Sequence, residues 1–160
     1  MRKLALSALL GLLSLSTFAL DAKQASQITK KYSELVACQI SDASDQKSQY
    51  KAVKLSGDGK EIGTTYAVFW QGDVGCSGGN ATVNPNFTVV EQRGFESVDP
   101  VVATDYTWPE LDLVIVTEFT GANGILKITG ITYGAKDRQG WPKKPVSYTL
   151  KLDGNKFVKQ

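Results

Sequence analysis

No histidine occurs anywhere in the 160 residues. Without an imidazole the chain has no Ser-His or Cys-His nucleophile pair, no histidine general base and no histidine ligand for zinc. A Ser-Lys dyad stays arithmetically open, yet no motif marks one. Charge of one sign is also missing in excess, with 18 Lys and Arg against 16 Asp and Glu. A nucleic-acid footprint would show a strong basic surplus, so that class of partner is not expected. Nor is general attraction to an anionic membrane. Long apolar runs are absent past the first twenty residues, so nothing downstream is long enough to span a bilayer. Cysteine occurs only twice.

What is present starts with Met1-Arg2-Lys3 and an apolar run from Leu4 to Leu20, followed by Asp21-Ala22. A cationic start, a Leu/Ala-rich centre and small residues near the end describe a secretory signal peptide over residues 1–22. The run is about 17 residues, shorter than the roughly 20 a spanning helix needs, and Ser7, Gly11, Ser14, Ser16 and Thr17 dilute it. Cleavage could follow Ala19, with Thr17 at the minus-three position, or Ala22, with Leu20 there. An uncleaved anchor is the rival reading. The remainder, residues 23–160, fits one exported globular domain, periplasmic or secreted and not membrane-spanning after cleavage. A domain of that size buries about two-thirds of its unfolded surface, enough for a core without metals.

Both cysteines, Cys38 and Cys76, lie in the exported part. In an oxidising compartment an even count reads most simply as one disulfide. Closing a loop of about 39 residues would stabilise the fold by roughly 4 kcal/mol on the chain-entropy account. With the cysteines joined and no histidine, no metal site and no cofactor are expected.

The apolar residues Ile28, Tyr32, Leu35, Val36 and Cys38 recur at three- and four-residue steps, which predicts an amphipathic helix from Ala25 to Gln39. Residues 41–48 are polar and read as a loop. The period then changes to two. Strands are expected at Gln49–Leu55, Thr64–Gln71 and Phe87–Gln92, with a Gly-Asp-Gly turn at 57–59. Both faces of Thr64–Gln71 are apolar, which places it centrally. In Leu111–Phe119 the pattern puts Leu111, Leu113, Ile115 and Phe119 on one face and Val114 and Val116 on the other. Asn123-Gly124 is a hairpin signal leading into Ile125–Tyr133. Val146–Leu152 and Lys156–Lys159 close the series around Asp153-Gly154-Asn155. The expected fold is therefore α+β, one N-terminal helix packed on an antiparallel meander of about seven or eight strands. A small closed β-barrel is the alternative.

Three places could carry chemistry. The run Gly72 to Asn80 holds four glycines in nine residues, and Gly75, Ser77, Gly78 and Gly79 could aim N–H groups at a ligand as an anion nest. No Lys-Ser/Thr and helix follow, so a phosphate loop is excluded; a tight turn pinned by Cys76 is the bland reading. Two Trp-Pro pairs come next. Trp108 sits in an acidic stretch with Asp105, Glu110 and Asp112. Trp141 sits in a basic one with Lys136, Arg138, Lys143 and Lys144. Such aromatics serve as partner hot spots, stack on sugar rings, or fold back over an open end of the core. The basic loop is the better binding candidate, because Lys143 and Lys144 resist burial. Asp105, Glu110, Asp112, Glu91 and Glu118 supply carboxylates for a glycosidase pair, though nothing marks two as converging. Asp58 lacks the acidic neighbours of a calcium loop. The glycan-acceptor patterns at Asn80 and Asn86 would matter only in a eukaryotic secretory route.

The sequence thus points to a non-catalytic binding protein of the envelope or exterior, with an inhibitor or immunity protein as its most concrete form. Its partner would be a protein, with a glycan as the other option. A carboxylate-dependent cell-wall or polysaccharide hydrolase and a small-ligand carrier are the alternatives.

Overall fold

The computed structural model describes residues 20–41, 50–56, 63–78, 83–94 and 98–160. Residues 1–19 of the expected leader over 1–22, residues 42–48 of the expected 41–48 loop, the 57–59 turn, Gly79 and Asn80 lie outside the described residues. One helix and nine strands in two antiparallel sheets make an α+β fold.

Helix α1 spans Ala22–Val36. Asp21 caps it: its carboxylate accepts the Gln24 N–H at 2.7 Å, and the Gln24 amide oxygen accepts the Asp21 N–H at 3.2 Å. This reciprocal box satisfies donors that the first turn otherwise leaves orphaned. The helix therefore begins three residues earlier than its apolar spacing predicts and ends three earlier, at Val36. Its buried stripe also differs. Ala25, Thr29 and Ser33 are fully buried, whereas Leu35 is 85% exposed. Small side chains at every fourth position let the helix lie close on the large residues of the sheet, and Ile28, Tyr32 and Val36 flank that contact half-buried.

The first sheet holds β1 (Gln39–Ile40), β2 (Lys51–Ser56), β3 (Thr64–Asp73), β4 (Asn84–Gln92) and β5 (Val101–Ala103). Strands β1 and β2 both pair with β3, which pairs with β4, and β4 with β5. The second sheet runs in the order β6 (Ile115–Ala122), β7 (Ile125–Thr132), β8 (Lys144–Asp153) and β9 (Lys156–Lys159). The chain thus forms two sheets where one continuous meander is expected, and the short strands β1 and β5 are additions to the expected set.

Strand β3 is the middle wall. Tyr66 and Val68 on one face join Val90, Ala25 and Leu20 in a core beneath the helix. Ala67 and Phe69 on the other join Val53, Leu55 and Val89 against Phe119, Leu126, Ile128, Leu150 and Phe157 of the second sheet. That division is why both faces of this strand are apolar. A backbone bond also joins the sheets at one corner, where the Gly124 N–H donates to the Leu55 carbonyl (2.9 Å), while the Gly124 carbonyl accepts the Leu152 N–H (2.7 Å) within the second sheet. Asn123 and Gly124 both have positive φ, 52° and 73°, as the expected two-residue hairpin requires.

In β6 a bulge between Val116 and Glu118 changes the parity of the strand. Val116, opposite Gly130, and Phe119, opposite Ile128, both pack on the inter-sheet core. Simple alternation had put these two on opposite faces. Residues 111–114 precede the strand.

Candidate functional site

Three loops hold the residues singled out from sequence, and the structure treats them differently. The first is the glycine-rich end of β3. Cys38 and Cys76 are joined by a disulfide that ties the end of α1 to this loop. The Cys38 N–H also donates to the Asp73 carbonyl at 2.9 Å. The N–H groups of Ser77 and Gly78 do converge on a carboxylate, but it is the chain's own: the Asp73 side chain accepts them at 3.4 and 3.3 Å. Asp73 is buried, so the position a bound anion would take in this nest is occupied from within. Gly75, next in the turn, is exposed.

The second is the acidic loop. Backbone bonds clip it to the second sheet, with the Thr107 N–H donating to the Asn155 carbonyl and the Phe157 N–H to the Thr107 carbonyl, both at 2.9 Å. Trp108 lies flat on Phe157, 3.8 Å between ring centroids at 15°, and stacks on Phe87 at 5.2 Å. Its indole closes the open end of the inter-sheet core. Each of the nearby carboxylates Glu91, Asp105 and Asp112 is held by a neighbour. Arg93 pairs with buried Glu91 and, at 3.3 Å, with Asp105. Asp105 also accepts from Asn155 at 2.7 Å, and Asp112 accepts the Thr132 hydroxyl at 2.6 Å. The hydrogen bond to Asp105, with the charge of Glu91, holds the Arg93 guanidinium above its ordinary value. Burial, with Glu91 beside it, raises the Tyr106 phenol. Of the carboxylates considered from sequence, Glu91 and Asp105 come together, through one shared guanidinium.

The third is the basic loop between β7 and β8. Here the two turns are built in sequence. The Asp137 N–H donates to the Gly134 carbonyl (3.0 Å) and the Trp141 N–H to the Arg138 carbonyl (2.9 Å), with Gly140 at φ 82°. One carboxylate organises both ends: Oδ2 of Asp137 accepts the N–H groups of Gly134 and Lys143, each at 2.8 Å. These bonds, and the Lys143 charge, hold the Asp137 carboxyl below its usual value of 3.8. The Tyr133 hydroxyl accepts the Gly140 N–H at 2.9 Å. Nothing in the sequence marks Asp137, the one acid in a stretch of cations.

The result is a fixed platform. Trp141 is 70% exposed, the most exposed large aromatic among the described residues. With Lys136, Asp137, Arg138 and Lys143 it lines a cleft of about 360 Å³. Lys144 follows, exposed at the start of β8. Four cations, Lys136, Arg138, Lys143 and Lys144, surround the single Asp137 carboxylate, so the loop keeps a positive excess.

Among the described residues no group of three His, Cys, Asp or Glu side chains could hold a metal ion, and no helix is long and apolar enough to cross a membrane. Compared with protein-family models, curated proteins and solved structures, the chain matches none.

Proposed function

We propose that this chain is an exported, non-catalytic binding protein, periplasmic or secreted, that captures an acidic protein partner through the β7–β8 loop. The observation that carries the reading is the exposure of Trp141 on a loop whose shape Asp137 already fixes. Such an indole offers a large contact area, and a preformed loop loses little entropy on binding. The four cations around it steer an acidic surface and fix its register. An inhibitor or immunity protein, which must bind one enzyme tightly without chemistry of its own, uses a surface of this kind.

The rivals draw less support. Glu91 and Asp105 are both ion-paired to the one Arg93 guanidinium that lies between them, where a glycosidase would leave room for the scissile bond. The space between the sheets is filled by Phe69, Phe119, Leu126, Ile128 and Leu150, where a ligand carrier would keep a cavity.

The test compares wild type with a Trp141→Ala, Lys143→Glu, Lys144→Glu variant as baits in envelope extract. Wild type retains an acidic protein that 0.5–1 M salt releases, about tenfold or more weakened in the variant. Melting temperatures of the two baits stay within a few degrees. Equal retention by both baits removes the loop from the function.

A further inference from the structure

The first described residues belong to the fold in a way that bears on where the leader ends. Leu20 is only 4% exposed and sits in the core under the helix with Ala25, Tyr66, Val68 and Val90. Its N–H donates to the Gln92 side-chain oxygen at 2.9 Å. That amide is oriented from its other end, since Gln92 Nε2 donates to the Val98 carbonyl at 2.8 Å. Asp21 is the helix cap, and the Ala22 carbonyl accepts the Ser26 hydroxyl at 2.8 Å. A leader is discarded after export, so residues that fill a core and cap a helix are not leader residues. Hydrolysis after Ala22 would remove all three.

We infer that the chain is processed between Ala19 and Leu20, and that the new α-amino group of Leu20 becomes an anchor docked on Gln92. This rests on the export reading above. Thr17 and Ala19, which lie outside the described residues, supply by sequence the small-x-small pattern that a leader peptidase reads, whereas cleavage after Ala22 would place Leu20 at the minus-three position. In the reaction one water adds across the Ala19–Leu20 bond. The C–N bond breaks, the Ala19 carbonyl leaves as a carboxylate, and the Leu20 nitrogen takes up the protons as an ammonium. That ammonium keeps a donor for the Gln92 oxygen, while the Leu20 side chain stays in its pocket. Processing thus trims the chain to the residue that starts the fold.

The experiment expresses the full chain with its own leader, isolates the exported protein and reads its intact mass and N-terminal sequence. A chain starting at Leu20 supports the inference. A chain starting at Lys23 overturns it while leaving export intact. An unprocessed chain starting at Met1 in the cytosol overturns both. A second reading tests the anchor on the processed protein, using an amine-reactive ester at neutral pH. The Leu20 amine should label roughly tenfold or more slowly in the native protein than in urea, because a buried, bonded amine reacts only after local opening. Gln92→Leu should speed native labelling. Labelling of native wild type as fast as in urea overturns the anchor.

Discussion

The Trp108 indole lies parallel to the Phe157 ring at 3.8 Å, and this one contact separates the two Trp-Pro loops. Trp108 faces inward and seals the end of a core, while Trp141 stands 70% exposed. Replacing each should have opposite consequences. Trp108→Ala is expected to cost about 3 kcal/mol, in the range for loss of a packed aromatic. Trp141→Ala should stay within about 0.5 kcal/mol, as for an exposed side chain. Urea unfolding of the two variants decides the matter, and equal losses would refute the assignment of roles.

Asp137 predicts a pH response of the basic loop. Its carboxyl titrates below 3.8 in the folded protein because the Gly134 and Lys143 N–H groups and the Lys143 charge favour the anion. Its hold on the loop is therefore complete above pH 3.8 and fades as pH falls through the lower folded value. Amide resonances of Gly134 and Lys143 should be constant from neutral pH to about 5 and move together only under acid. Asp137→Ala should release both amides at neutral pH and weaken partner capture without touching Trp141.

Thr29 is fully buried in the helix–sheet layer and its hydroxyl has no hydrogen-bond partner. An unpaired buried hydroxyl costs about 1–3 kcal/mol. Thr29→Val keeps the branched shape and should raise stability by roughly 1 kcal/mol. A loss on thermal or urea unfolding would mean that the hydroxyl is satisfied in solution.

Gly130 in β7 runs against the backbone of residue 115, and a Cβ there would overlap the Ile115 carbonyl and press on Leu113 Cδ2 at 2.7 Å. Backbone cannot move aside as a side-chain tip can. Gly130→Ala should therefore destabilise by about 2–3 kcal/mol, read as a drop in the urea midpoint with unchanged slope.

The Cys38–Cys76 bond closes a long loop, its ends 38 positions apart in sequence. Replacing both cysteines with serine should cost about 4 kcal/mol. Basic-loop binding should survive below the new, lower melting temperature, because that loop lies on the other sheet.

Much of this was legible in the residues, and what was not has physical reasons. The central strand, the Asn123-Gly124 hairpin and the disulfide follow from local chemistry. The split into two sheets does not, because period-two alternation is the same whichever sheet a strand joins. The helix face was misread because large apolar residues at three- and four-residue spacing outweigh Ala25, Thr29 and Ser33 in any pattern. Only the bulky residues of the sheet beneath make small ones the better contact. The bulge after Val116 leaves no mark on composition yet reverses which residues face inward. The two Trp-Pro loops look alike along the chain. What distinguishes them is whether an aromatic wall stands within reach, a property of the assembled sheets.

Because β3, with β2 and β4 beside it, contributes one row of side chains to each of two cores, the helix and the second sheet share the first sheet as their structural partner. Neither can detach without exposing part of the same strand, so the layers should melt as one cooperative unit. Backbone amides of β3 would then be the last to exchange with heavy water.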